Sequence, residues 1–552
     1  MKLKIIILFS YLLLISIYSL HSQSIDISES NTSLISNKSP LFGKDIIIND
    51  KSYQDQRFEA ICSAYNGWLF AVYSHPAADT NSWQILRSMD NGITWSFFWG
   101  GSQPLSFCRA TNFSIIACGN DLATLKVFVS FVVIYSYVSE TRYGVERFNG
   151  QNGNFEDIVL SNYNLGSAFN NGSIASDYQA SVNNATPYSF GILYTRTSLT
   201  PNIFRDSLIF VSSSDGGITL NNRKVVSVAK DYTHKFAEVA LAYGYSPGAV
   251  KGNYFVTWEE KASAAANVGH IYTSHTTTGI TSQFSTPVCL DSLDVSSINK
   301  GRNPKISCQV NNVNNDSSNL TEIILYEKFL PGTNSYDVIG CCNLQAVSSN
   351  YFNQFGLATS GDNEIQPDIT FNSYDNFFNM TYYNSTIQSL PLLKNSFNMT
   401  TPNLWTVISN RYNDSSNLIN PYPKITVNPI LHECANLWIA ERDNGNGVVM
   451  FDALYSTYTN IPNQLNDTQL FKIYPNPCNT TINIRFEVNH NEKVIIALYS
   501  MIGKHLKNIT NEIYSIGRHN VIVDVSDIPP GSYFFSFKVK DYSRIGMFII
   551  LR

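Results

Sequence analysis

The chain is predicted to be all-β: a large body of repeated strand units, followed by a small C-terminal β-sandwich. Three observations predict this. Aromatic residues make up 13% of the chain and charged residues only 14%, with abundant Asn, Ser, Thr and Gly, which suits sheets joined by polar turns. Strand signals in the body recur about every sixty residues. From Phe471 onwards, short alternating strands are separated by Gly, Pro and Asn.

The N-terminus reads as an export signal over residues 1–22. Lys2 and Lys4 precede an apolar stretch from Ile5 to Leu14, and Ser22 offers a small residue before a cut. The alternative is an uncleaved anchor, but the stretch is shorter than the ~20 residues a spanning helix needs. The longest later apolar run, Val127 to Val138, is rich in Val, Phe, Ile and Tyr and reads as a buried strand. The mature chain is therefore expected to carry no transmembrane span. About 530 residues would remain after cleavage, enough for one large domain and one small one.

A net charge of −5 and the lack of any Lys/Arg run argue against nucleic acid as a partner. The nine cysteines leave at least one thiol unpaired. Cys108 and Cys118 could close a small loop, whereas the adjacent Cys341 and Cys342 would form a strained ring. No C-x-x-C or Cys/His spacing suggests zinc, so neither a metal nor a cofactor is expected.

The tail, residues 471–552, contains Tyr474-Pro475-Asn476-Pro477, then the strand residues Ile482 to Phe486 and Val494 to Tyr499, and then Gly503-Lys504. Ile528-Pro529-Pro530-Gly531-Ser532-Tyr533 and a final strand ending in Arg552 follow. Six or seven short strands of this kind make a small β-sandwich. The wording resembles the type A sorting domain of the type IX secretion system of Bacteroidetes, which opens on Tyr-Pro-Asn-Pro. Ser500 departs from it, where the family usually has Asp. The resemblance implies passage through the type IX machinery by way of the periplasm. The expected destination is the medium or the outer cell surface, with the tail either removed or anchored.

In the body, Ser88-Met89-Asp90-Asn91-Gly92-Ile93-Thr94-Trp95 recurs as Ser213-Ser214-Asp215-Gly216-Gly217-Ile218-Thr219. Asp can bond amides within its own turn, and Gly supplies a positive φ. Degenerate copies start at Asn149 and His275, so the four starts are separated by 61, 64 and 62 residues. A second landmark opens a strand at Pro304, Pro367 and Pro423, with earlier equivalents at Glu59 and Glu238 and further ones near Arg109 and Tyr178. Seven starts between residues 59 and 423 predict seven four-stranded blades, with six as the alternative. The turns resemble the Asp-boxes of sialidase-like β-propellers. The expected organisation is an N-terminal segment at 23–56, a propeller at 57–460, a linker at 461–470 and the sorting sandwich at 471–552. Leu41 to Asp50 could supply a ring-closing strand.

Resemblance to sialidases implies an arginine clamp on a sugar carboxylate and an acid near it. Arg57, Asp79, Arg302 and Glu260, beside Glu259, are the candidate positions, with Arg411 or Arg442 as a third arginine. Each has a plainer reading as a strand cap, a solvated hairpin or an exposed turn. Asp443-Asn444-Gly445-Asn446-Gly447 reads as a tight hairpin turn rather than a calcium loop. H-E-x-x-H, G-x-S-x-G and P-loop signatures are absent from the sequence. The expected function is binding of an extracellular ligand, a glycan or a surface protein. An exo-acting glycosidase of sialidase type and a structural or adhesive surface protein are the alternatives.

Overall fold

The structure is a computed structural model. It describes residues 42–453 and 472–551 except 43, 52–54, 78–79, 103–107, 136–140, 163–165, 177–188, 246–251, 278–281, 292–299, 311–319, 348, 351, 359–360, 374–375, 396–404, 415–416, 489–490, 501–504, 516 and 540–541. The signal at 1–22 and the linker at 461–470 lie outside the described residues.

Between residues 46 and 453 the described strands form seven antiparallel sheets, each a blade. Blade 1 runs Arg57–Ser63, Leu69–Ala77, Thr80–Ser88, Ser96–Ser102, and blade 2 runs Cys108–Cys118, Lys126–Tyr135, Thr141–Asn149, Phe155–Asn162. The inner strands of blades 3 to 6 are Gly172–Ser176, Lys235–Gly244, Gly301–Cys308 and Glu364–Asn372. Blade 7 takes three strands from Lys424–Asn428, Glu433–Glu441 and Gly447–Ala453. Its fourth comes from the other end of the body: Ile46–Ile47 pairs antiparallel with the last of these, Ile46 opposite Phe451. The seven inner strands contact one another in sequence, and the seventh contacts the first. This is a seven-bladed β-propeller, and the six-bladed alternative falls.

The blades hold together because their middle strands are buried on both faces, so these strands are nearly continuous apolar runs. Lys126–Tyr135 is one of them, with Val127, Phe128 and Val129 fully buried. Trp83 of blade 1 packs against Phe131 and Phe148 of blade 2. Phe128 packs on Phe190 of blade 3 in the same way. At the ring closure, Leu69 and Tyr73 share a cluster with Leu437 and Phe451.

Both full Asp-box turns join the third and fourth strands of a blade, in blades 1 and 3. Asp90 Oδ1 accepts the Thr94 N–H at 2.9 Å, Ser88 Oγ accepts the Gly92 N–H at 2.7 Å, and the Trp95 indole donates to the Gly92 carbonyl. Asp215, Ser213, Gly217 and Thr219 repeat the pattern. Gly92 has φ +88°, and a Cβ there would sit 1.9 Å from the Phe451 ring, so the turn also docks the first blade onto the last. The Asn149 turn occupies the same place in blade 2. The His275 copy lies partly outside the described residues. Asp443 to Gly447 forms a hairpin turn, closed by the Arg442 N–H on the Asn446 carbonyl.

Two expectations need correction. Cys108 and Cys118 are the two ends of one strand, ten steps apart at ~3.3 Å each, far beyond disulfide reach. In blade 2 a strand does begin beside Arg109, at Cys108, but the landmark position within the inner strands of blades 2 and 3 differs from the expected one. Glu59, Glu238, Pro304, Pro367 and Pro423 share one place in the inner strand, just before pairing resumes or begins. Phe113 and Asn171 hold that place in blades 2 and 3, rather than residues near Arg109 and Tyr178, the latter outside the described residues.

The tail folds into two sheets: Lys472–Tyr474, Thr481–Val488 and Gly517–Asp524 in one, and His505–Tyr514, Glu492–Ser500, Gly531–Val539 and Tyr542–Ile550 in the other. Ile482, Ile484 and Phe486 face Leu498, Phe535 and Phe548 in a core drawn entirely from tail residues. Asn476 of the Tyr474-Pro475-Asn476-Pro477 turn accepts the Ile549 N–H, and the Tyr533 hydroxyl bonds the Pro529 carbonyl. Gly503 lies outside the described residues.

Candidate functional site

The inner strands do not run straight. Pairing slips between Arg57 and Ala60, Thr111 and Ser114, Phe236 and Val239, Arg302 and Lys305, and Ile365 and Asp368, the same bulge in five blades. At the slip, non-glycine residues take the left-handed conformation: Phe58 at φ 56°, Asn112 at 52°, Asn303 at 54° and Gln366 at 55°, joined by Tyr422 at 45° in blade 7. Asn tolerates this region, but Phe, Gln and Tyr pay on the order of 1 kcal/mol or more each. Such strain persists only where surrounding bonds over-determine it.

Those bonds run from blade to blade. Ser114 Oγ accepts the Ile174 N–H, Ser173 Oγ the Leu241 N–H, and Asp368 Oδ2 the Ile425 N–H at 2.9 Å. Gln366 Oε1 accepts the Tyr422 N–H. Glu327, 2% exposed, is the strongest of these ties. It accepts Arg302 Nε at 2.6 Å, Asn303 Nδ2 at 2.8 Å and the Gln366 N–H at 2.8 Å.

The bulges surround a cavity of about 840 Å³ reached by all seven inner strands. Small side chains (Ala60, Ser114, Ser173, Ala240) leave the space, and charged ones line it. Glu59, Glu238, Glu259, Glu327 and Asp368 face Lys261, Arg302, Lys305 and Lys424 across it. Residues 264–267, between the second and third strands of blade 4, line it too. In an up-and-down blade that connection lies at the opposite end from the Asp-box turns, so the boxes stand away from the cavity.

Glu59 is 3% exposed, and neither carboxylate oxygen has a hydrogen-bond partner. Burial pushes its carboxyl up to about 8, although Lys424 pulls the other way. Burial also raises Glu259 to about 7 against the pull of Lys261, whose Nζ lies 3.7 Å from Oε1. Burial lowers Lys305, with Lys424 adding to the effect, and raises Asp368. The cavity thus holds carboxyl groups poised to keep a proton near neutral pH.

One consequence is measurable. The unfolded chain ionises Glu59 near pH ~4.3, whereas the folded chain holds its proton up to about pH 8. Between those values the folded state binds more protons, so this group's contribution falls as pH rises through the window. Glu59→Gln is expected to be near neutral in urea unfolding at pH ~4, and increasingly stabilising as pH rises, by more than ~1 kcal/mol above pH ~8.

Of the described residues proposed from the sequence, Arg302 and Glu259 line the cavity, and Arg302 is the arginine among them. It pairs with Glu327 and stacks on Tyr336, 3.7 Å from the ring centre. Arg57 holds the equivalent place in blade 1 but turns to Asp55 at 2.8 Å and to the Gly445 carbonyl, and it is not among the lining residues. Arg442 pairs with Asp50, and Arg411 bonds the Asn413 carbonyl. These arginines are therefore not gathered at the cavity. Asp79 lies outside the described residues. Glu260 is buried and accepts the Lys230 N–H at 2.7 Å, and strand alternation presents its neighbour Glu259 to the cavity instead. Glu59, Glu238, Glu327 and Lys424 were missed because each looks like an ordinary strand residue until the bulges align.

Residues 472–551 match the family described as the secretion system C-terminal sorting domain. The tail is a sorting domain. It marks the chain for secretion or for attachment at the outer surface of the cell. No described helix is long and apolar enough to cross a membrane. No curated protein matches the sequence.

Among solved structures the chain is similar to a protein of unknown function from Dyadobacter fermentans, at 10% identity over 75% of this chain and 99% of that one, with a TM-score of 0.41. It is similar to the GH93 α-L-arabinofuranosidase of Fusarium graminearum solved with arabinobiose, at 11% identity, 75% and 98% coverage and a TM-score of 0.43. It is also similar to the NanB sialidase of Streptococcus pneumoniae, at 9% identity, 76% and 71% coverage and a TM-score of 0.40. At these scores the propeller rests on this chain's own seven sheets, and the site on its own residues.

Proposed function

We propose that the sorting domain exports a propeller whose central cavity binds a neutral or amino sugar chain. The observation that carries this is the mixture of polar groups in the cavity: five carboxyl groups and four basic side chains, interleaved with Asn112, Asn171, Asn303 and Gln366. Sugar hydroxyls both donate and accept, so alternating acceptors and donors suit a polyol. An acidic sugar held through its carboxylate would call for converging unpartnered cations, whereas here the basic groups lie beside acidic ones: Arg302 by Glu327, Lys261 by Glu259, Lys424 by Glu59 and Lys305 by Glu238. Phe58, Phe113 and Tyr422 add ring faces for a pyranose to pack on.

The test is a screen of the secreted full-length chain against neutral, amino and acidic glycans. Binding confined to the first two classes supports the reading. Binding confined to sialosides, or to none, overturns it. A second reading is favoured by Glu59 alone. A cavity carboxyl that keeps its proton near neutral pH has the property of a general acid, and Glu238 would be its carboxylate partner. This makes a glycoside hydrolase the alternative. Release of chromophore from aryl glycosides by the wild type, abolished in Glu59→Gln, would establish it.

A further inference from the structure

On one face of blade 4, remote in sequence from the tail and turned away from the cavity, three side chains converge. His270 opens the third strand, His270–His275, and Cys289 ends the fourth, Val288–Cys289. The register sets Cys289 opposite Tyr272, and alternation puts His270 and Tyr272 on the same face. The Leu290 N–H bonds the Ile271 carbonyl and turns Leu290 into the core, which returns Asp291 to the face of Cys289. His270 Nδ1 then lies 3.1 and 3.2 Å from the two Asp291 oxygens, and Cys289 Sγ lies 2.9 Å from Oδ1. One donor atom from each of the three falls within 4.8 Å of the others.

We propose that His270, Cys289 and Asp291 form a binding site for zinc(II). The donor set is one nitrogen, one sulfur and one oxygen. Thiolate and imidazole select zinc over calcium or magnesium, which take oxygen ligands. A thiolate and a carboxylate together balance a divalent charge. Bond lengths of ~2.0–2.3 Å around a tetrahedral ion need donors somewhat over 3 Å apart; the His270–Asp291 pair is already at 3.1 Å, and the Cys289–Asp291 pair at 2.9 Å opens by about half an ångström as the thiol loses its proton on metal binding. Asp291 is 7% exposed and anchors the site from below, while the His270 side chain is 45% exposed and leaves a fourth position for water.

A Cys-His-Asp nucleophile is the competing reading of the same residues. It needs the imidazole between thiol and carboxylate, one ring nitrogen to each. Here the three groups close a triangle: Nδ1 faces the carboxylate, the thiol lies near the ring, and the thiol also donates directly to the carboxylate at 2.9 Å, so the imidazole does not stand between them. Glu260, opposite His270 in the register, adds negative potential beside the site.

Cobalt(II) titration of the chelator-stripped full-length chain reads the site directly. The expected result is a single equivalent bound, with a thiolate-to-cobalt charge-transfer band and tetrahedral d–d bands that zinc(II) displaces. Cys289→Ser removes the charge-transfer band, and His270→Gln, at a half-exposed position that tolerates change, weakens affinity by about 100-fold or more. Absence of the band in the wild type overturns the proposal. A band that survives Cys289→Ser places the metal elsewhere and overturns it equally.

Discussion

Glu327→Ala is expected to destabilise the propeller by about 3 kcal/mol, among the largest losses from any single cavity residue. The carboxylate is buried and is the shared acceptor for Arg302, Asn303 and the Gln366 N–H, so it joins blade 5 to blade 6. Its removal leaves a buried backbone N–H and a side-chain amide without an acceptor, and a guanidinium without its counter-ion. Asn303 and Gln366 are both left-handed, and the bonds that hold them there are the ones lost. Arg302→Ala should cost distinctly less, because that side chain is about a third exposed and Glu327 keeps its other two donors. Urea unfolding of the two variants checks the order. A Glu327→Ala loss below ~1 kcal/mol would show that the strained bulges need no such clamp.

Removal of residues 471–552 is expected to abolish export while leaving the propeller folded. The sandwich core contains no propeller residue, and the propeller closes its own ring with Ile46–Ile47. Fractionation of a type IX-competent host would recover the truncated chain from the cell rather than from the surface or medium. Circular dichroism would still report its β-structure. Equal surface levels with and without the tail would contradict the role assigned to the sorting domain.

Much of the architecture was legible because it repeats. The Ser-x-Asp-x-Gly-x-Thr turns are local chemistry, and their near-constant spacing is a property of the sequence alone. Pro304, Pro367 and Pro423 mark the inner strands because proline follows the left-handed residue in blades 5 to 7. Blades 2 and 3 carry Phe113 and Asn171 there, with no proline to mark the place, and the sequence offers only the strand signals near Arg109 and Tyr178. The site was much less legible. Arg302 was found and Arg57 misjudged, although both hold the same place in their blades. Which of them faces the cavity depends on a partner: Glu327 across the sheet for one, Asp55 in the preceding loop for the other. His270 and Cys289 carry no metal-binding spacing, and only the pairing of two strands brings them together.

The cavity is the proposed ligand site, and the blade 4 connection at residues 264–267 forms part of its lining. Ala265 is exposed on that connection and lines the cavity, so a tryptophan there narrows the cavity without disturbing a core. The decisive measurement is calorimetric titration of a glycan captured in the screen against the wild type and Ala265→Trp. The expected result is a saturable 1:1 isotherm for the wild type and at least ~10-fold weaker binding for the variant, at unchanged thermal stability. Equal affinity in the two proteins would place the ligand outside the cavity and contradict the account.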